Sequence, residues 1–280
     1  VTTTVFVAVL FAALLHASWN AIVKGSDDKT LGVLAMALGH LPFAAIALLV
    51  LPFPANGSLL FVLSGGLIHT GYCLFLAGAY RTGDLGHVYP IARGVAPLIV
   101  TAISVGFLGT VLGNGQLLGI GAITLGLISL ALVQPTGHAT ANATRLALMT
   151  GVFIAMYSLN DGHGARLSGG SPVAYYALVC TVNAVTLLPI VMYCQPGILG
   201  RTLARPRQVL LSGGGSFLAY SIVVWAFVEA PIPLVTALRE TSIVFALLIG
   251  AFLMHERLSL GKLLATFLTL AGAAAIRLAR

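Results

Sequence analysis

Apolar residues in this chain run in stretches of about 20, separated by short segments rich in Gly, Pro or polar side chains. Ten stretches can be marked, at about 3–23, 32–53, 58–80, 86–108, 115–134, 145–165, 172–193, 208–228, 232–254 and 260–278. About 20 apolar residues carry one helix across the hydrocarbon core of a bilayer. The pattern therefore predicts an all-α membrane protein of ten transmembrane helices. Loops such as Leu108 to Gly115 and Glu229 to Pro233 are short, which makes the helices they join antiparallel neighbours. The first stretch lacks a basic leader and ends in the polar cluster His16, Ser18, Trp19, Asn20, so it is expected to be a span rather than a signal peptide.

The longest polar segment, QPTGHATANATR at 134–145, falls at the midpoint and reads as a linker. It divides the chain into a first five-helix half (1–135), a linker (136–144) and a second half (145–280). A shift of 146 residues superposes spans four and five on nine and ten without a gap, and places Arg93 on Arg239 and Gly126 on Gly272. A shift of 140 places Ser18 and Asn20 on Ser158 and Asn160. Five spans per half invert the second half relative to the first. This is the plan of secondary transporters whose substrate site lies near the midplane between repeats.

Composition narrows the class. The chain has 280 residues, 59% apolar and 8% charged, with mean hydropathy +1.03. A soluble domain carries roughly 25% charged residues, so a soluble enzyme, a disordered chain and an appended soluble domain are excluded. The net charge of +7 does not point to nucleic acid, because the cations sit singly at loop ends rather than in a patch. Cys73, Cys180 and Cys194 have no metal-ligand spacing and read as packing residues. No cofactor and no metal are implied.

Loop cations set an orientation. Lys24, Lys29, Arg81, Arg145, Arg201, Arg205, Arg207, Arg257 and Lys262 fall on one side, and Arg166, Arg277 and Arg280 on the side of the termini. Nine against three places both termini outside the cytoplasm.

Polar groups within spans are expensive, at about 2.5–3.5 kcal/mol for a central Arg or Asp, and usually face a cavity or a partner. Span four (HVYPIARGVAPLIV) sets Tyr89 and Arg93 on one face, a guanidinium and a ring suited to a substrate carboxylate; a buried ion pair is the structural alternative. In span nine, Arg239 and Glu240 are neighbours about 100° apart on a helix, so each should seek a partner elsewhere. Glu240 is open to two roles, counter-ion of Arg93 or Arg239, or proton-carrying site. Asn20 and Asn160 suit a substrate's polar groups or hydrogen bonding between helices. His16 and Trp19 share a face. Tyr72, Tyr157 and Tyr220 are candidate lining, whereas Tyr80 and Trp225 read as interfacial and His69 as packing. Asp161, near the end of span six, is as readily an interfacial group. Pro90, Pro97, Pro231 and Pro233 are candidate gating bends.

The stretches LHASWNAIVK, AYRTGDLGHVYPIARGVAPL and ALRETSIVFALLIGAFLMHERLS, together with two five-span halves, resemble EamA-type members of the drug/metabolite transporter superfamily over nearly the whole chain. Within it, the chain resembles the YddG-type bacterial exporters of aromatic amino acids. The resemblance implies alternating access around a central cavity, inner-membrane location, export of amino acids or related metabolites, and no bound cofactor. It also implies termini in the cytoplasm, opposite to the charge count. The family pattern has an acid at the ends of spans four and nine. Here Glu256 ends span nine, and Gly109-Thr110 stand at the matching place in span four.

The expected function is uniport or weakly coupled export of aromatic or large neutral amino acids by a monomer in the bilayer. Arg93 or Arg239 would meet the carboxylate and Asn20 and Asn160 the polar backbone. Trp19, Tyr72, Tyr89, Tyr157 and Tyr220 would meet the ring, with the site among spans one, three, four, six, eight and nine. A proton-coupled carrier of a phosphonate, nucleotide-sugar or cationic drug is the alternative, the last ranked lower because buried acid is scarce. A membrane enzyme or sensor would need a catalytic cluster in loops that are too short to hold one.

Overall fold

The computed structural model describes residues 1–24, 28–83, 85–133, 140–253 and 259–279; at 19–24, 85–86, 132–133 and 252–253 it describes the backbone only. Glu256, Arg257 and Arg280, the side chains of Trp19, Asn20 and Lys24, and residues 136–139 of the expected linker lie outside the described residues.

Among the described residues there is no strand. The helices are α1 (Thr3–Lys24), α2 (Lys29–Val50), α3 (Leu59–Thr82), α4 (Leu85–Gly106), α5 (Asn114–Val133), α6 (Ala141–Arg166), α7 (Pro172–Cys194), α8 (Ile198–Leu203), α9 (Pro206–Glu229), α10 (Ile232–Arg239), α11 (Ser242–Leu253) and α12 (Leu260–Leu278). Local chemistry sets several ends. Asp28 caps α2 by accepting from the backbone N–H of Thr30 and Leu31, Thr140 caps α6 from Ala143, and Ser259 caps α12 from Lys262. Pro172 and Pro206 open α7 and α9 at the first turn, where the missing N–H costs nothing. After α4 the chain turns through Gly109 at φ +66°, a left-handed conformation suited to glycine.

Among the described residues, eight helical segments are long and apolar enough to cross a membrane: Lys29–Val50, Asn56–Thr82, His87–Gly106, Asn114–Ala131, Pro172–Cys194, Pro206–Glu229, Ile232–Ala251 and Leu260–Leu278. The described apolar stretch of α1, Thr3–Ser18, is shorter, and α6 carries polar residues at both ends. The outward faces suit lipid: Leu118 and Leu125 on α5 and Leu264 and Phe267 on α12 are exposed.

Two departures from the sequence expectation stand out. A short helix, α8, lies between the seventh and eighth expected spans. Expected span nine is two helices, α10 and α11, with the break at Glu240-Thr241. Around it the backbone tightens to i→i−3 bonds, Glu240 N–H to Ala237 O at 3.0 Å and Thr241 N–H to Leu238 O at 3.1 Å. The Thr241 hydroxyl also donates to Leu238 O at 2.7 Å. The prolines do not make this break. Pro231 precedes α10 and Pro233 lies in its first turn, while α4 runs through Pro90 and Pro97 as one helix.

Helices pair in a regular way. α3 packs on α6 and α7, α9 on α1 and α2, α4 on α6, and α10 and α11 on α1. α2 packs on α7, and α5 on α12. Two of these contacts are backbone-close. A methyl group on Gly39 would fall on the Val209 carbonyl, and one on Gly213 on the Gly39 backbone. Gly119 and Gly272 face each other's carbonyl oxygens across α5 and α12. Every residue of α10 is buried, inside a core that includes Val9, Val100, Ile123, Leu127 and Phe227.

Candidate functional site: a buried aromatic cavity between the halves

Helical spacing brings the site together. Tyr157, Asn160 and Asp161 of α6 stand at i, i+3 and i+4; so do His69, Tyr72 and Cys73 of α3. Met36 and His40 of α2, and Ser216 and Tyr220 of α9, are four apart. These faces converge on one cavity, lined by His16, Met36, His40, His69, Tyr72, Cys73, Tyr157, Tyr176, Val179, Cys180, Asn183, Ser216 and Tyr220. Its volume is about 50 Å³, on a scale where one water needs roughly 10–15 Å³. The cavity in this state therefore holds a few waters and is too tight for an amino acid.

The walls are rings. His69 stacks on Tyr157 with centroids 4.4 Å apart. Tyr72 and Tyr220 meet Tyr157 edge-on at 5.4 and 5.6 Å, and Tyr176 lies 4.9 Å from Tyr220. Such pairs add roughly 0.5–1.5 kcal/mol each beyond area burial.

Behind the lining residues His69 and Tyr220 lies an acid. Asp161 is fully buried. Its Oδ2 pairs with His69 Nε2 at 2.9 Å and accepts from the Tyr220 hydroxyl at 3.0 Å. Its Oδ1 accepts from the Tyr175 hydroxyl at 3.1 Å. Asn160 holds this arrangement by donating to Phe61 O at 2.8 Å while its Oδ1 accepts from Ser64 at 2.7 Å. Asn160 thus serves helix contact here. The solvated interfacial alternative for Asp161 is corrected: close approach of α3, α7 and α9 to α6 encloses the carboxyl and pairs it, and His69, read as a packing residue, is stacked on Tyr157 and bonded to that carboxyl.

Behind Tyr157 and Tyr220 lies a second charged group. Arg93 Nε is 3.3 Å from Glu240 Oε2, and Arg93 Nη1 donates to Oε1 at 3.4 Å. Arg239 Nη2 reaches the same Oε1 at 3.3 Å. Sequence neighbours pair here, against the expectation from helical geometry, because α10 ends at Arg239 and Glu240 lies in the break. Glu240 is therefore counter-ion to both arginines. Arg93 also lies over the Tyr89 ring at 5.4 Å and donates to its hydroxyl at 3.4 Å. Arg239 stands 5.6 Å from the centroid of Tyr157 and 5.7 Å from that of Tyr220. The trio carries one excess positive charge, and Arg239 Nη1 is buried with no hydrogen-bond partner. Leaving such a donor unpaired costs about 1–3 kcal/mol or more.

Of the expected site residues, His16, Tyr72, Tyr157 and Tyr220 line the cavity, and Tyr89, Arg93, Arg239 and Glu240 form the layer beside it. Spans two and seven contribute to the lining, whereas spans four and nine stand behind it. Sequence reasoning missed His40, Tyr175 and Tyr176, each a polar or aromatic residue in an apolar run, the only signal available, and left His69 and Asp161 out of the binding site. Tyr80 and Trp225, near the ends of α3 and α9, pack partly buried against apolar clusters. Cys73 and Cys180 are buried in the lining, and Cys194 is exposed at the end of α7. Among the described residues no group of His, Cys, Asp and Glu is arranged to hold a metal ion.

None of the curated proteins compared with the chain matches it. Solved structures share the fold. One, titled "Crystal structure of protein", aligns over 98% of this chain and 96% of its own with a TM-score of 0.71, at 16% identity. The half of the chain that supplies Tyr157, Asp161, Tyr220, Arg239 and Glu240 has a family likeness as well: residues 143–278 match the EamA-like transporter family.

Proposed function

We propose that this protein is a ten-span secondary transporter, not an enzyme, that moves aromatic or large neutral amino acids out of the cell across the bacterial inner membrane by alternating access. The observation that carries the reading is the aromatic cavity with a buried acid behind His69 and Tyr220 and an excess-positive arginine pair behind Tyr157 and Tyr220. A zwitterion presents an ammonium to Asp161, a ring to the tyrosines, and a carboxylate to Arg239 Nη1 once the Tyr157–Tyr220 wall parts. The family match of residues 143–278 supports transport of a small metabolite.

Helix pairing supports the inverted repeat. Exchanging α1 with α6, α2 with α7, α3 with α9, α4 with α10–α11, and α5 with α12 turns the α3–α6 contact into α9–α1, and α2–α9 into α7–α3. The α2–α7 and α5–α12 contacts map onto themselves. Alternating access then amounts to rocking of one half against the other, with the break at Glu240-Thr241 as a bend point.

The test is purified protein in liposomes with labelled tryptophan or phenylalanine and a panel of unlabelled competitors. The expected result is saturable uptake, competed by aromatic amino acids, that no pH gradient is needed to drive. Arg239→Gln should lower the rate at least tenfold in folded protein. Wild-type uptake that ignores every amino acid would reject the reading. One observation favours a second substrate class: an aromatic box with a buried acid directly behind it also suits an organic cation. Competition by a quaternary ammonium, with none by tryptophan or phenylalanine, would decide for it.

A further inference from the structure

The cavity lining carries a second imidazole besides His69. His40 of α2 is buried, with 4% of its surface exposed. It lines the cavity, and neither Nδ1 nor Nε2 has a hydrogen-bond partner. A neutral imidazole offers one donor and one acceptor, and buried polar groups are normally paired. The ring is held in place, with Tyr176 at 6.3 Å and Phe217 at 6.2 Å, and Gly39 beside it fixes α2 against α9. Tyr176 also lies 6.3 Å from His69, the partner of Asp161. Both histidines thus lie within 6.3 Å of one tyrosine ring on the same cavity: His69 is paired with Asp161, and His40 is unpaired.

Resting on the aromatic amino acid reading, we infer that His40 is a specificity-determining subsite that receives the polar group on the substrate's ring. The ammonium is held at the Asp161 end, the ring lies along Tyr157, Tyr220 and Tyr176, and a phenol hydroxyl or indole N–H meets His40. A hydroxyl can both donate to and accept from an imidazole; an indole N–H donates to it. A phenyl ring does neither and leaves both nitrogens unpaired. A site built to hydrogen-bond a ligand group discriminates against the analogue lacking it, because its own polar atoms are then stranded. The protein therefore prefers tyrosine and tryptophan to phenylalanine.

The experiment measures binding of L-tyrosine, L-tryptophan and L-phenylalanine to detergent-solubilised wild type, His40→Leu and His40→Gln at pH 8, alongside uptake in liposomes. Wild type is expected to bind tyrosine and tryptophan at least tenfold more tightly than phenylalanine, equivalent to 1.4 kcal/mol. His40→Leu should erase that preference, bringing the three affinities within about twofold of one another, with an unchanged thermal unfolding transition in detergent reporting that the variant is folded. His40→Gln, which keeps a donor and an acceptor, should restore part of it. Equal wild-type affinities, or a preference that survives in His40→Leu, overturn the subsite while phenylalanine transport leaves the broader reading standing. Failure of all three amino acids to bind wild type overturns both.

Discussion

Glu240 is a single carboxylate between two guanidinium groups, and its neighbours make it more than half of a pair. Removing one partner of a buried ion pair costs about 3–5 kcal/mol, because the other charge is left uncompensated. Glu240→Gln leaves Arg93 and Arg239 both without an acid. It should lower the thermal unfolding temperature in detergent far more than Tyr89→Phe, which removes one hydrogen bond at 3.4 Å. Equal effects of the two changes would mean that the trio is held apart by water. The arginines were legible in the sequence as an unusual cost within spans, and their alignment under one shift hinted at a shared task. Under that shift the counterpart of Glu240 is Gly94, so the acid belongs to one half only. His40 and Asp161 were harder to read. His40 is one polar residue in an apolar run and Asp161 one of several near the end of α6, and only the approach of other helices leaves the first unpaired and pairs the second.

Among elements, the sequence pattern locates the long helices because a span must be continuous and apolar, a demand imposed by lipid on every turn. It does not reveal the break in span nine. No Gly or Pro sits at Glu240-Thr241, and the break arises where a charged side chain turns to meet α4 and a threonine hydroxyl takes a carbonyl. Helix contact is set by small residues that look alike in sequence and differ in space. Gly39→Ala should cost about 1–3 kcal/mol, because its methyl group meets the Val209 carbonyl and backbone cannot yield as a side chain can. Gly121→Ala, with nothing within 4 Å, should be neutral or stabilising by up to about 1 kcal/mol. Thermal unfolding of the two variants side by side checks this, and a matching loss in Gly121→Ala would remove the argument from close approach.

At the scale of the whole molecule, the charge count and the family resemblance give opposite orientations. Cys194 decides between them. It is the exposed cysteine of the three, at the end of α7, beside the segment carrying Arg201, Arg205 and Arg207. Under the charge count a membrane-impermeant maleimide should label it in inside-out vesicles and leave it unlabelled in intact cells. The reverse pattern would place both termini in the cytoplasm.

The ion trio also joins what the ribosome makes first to what it makes much later. Arg93 and Glu240 are 147 residues apart, and at a synthesis rate of about 5–20 residues per second the arginine waits roughly 7–30 s for its acid. During that interval the nascent first half holds an uncompensated guanidinium. It must keep water beside that group, or remain with the insertion machinery, until the second half arrives. Final assembly is thus post-insertional, and a first half expressed alone is the form most exposed to quality-control proteolysis.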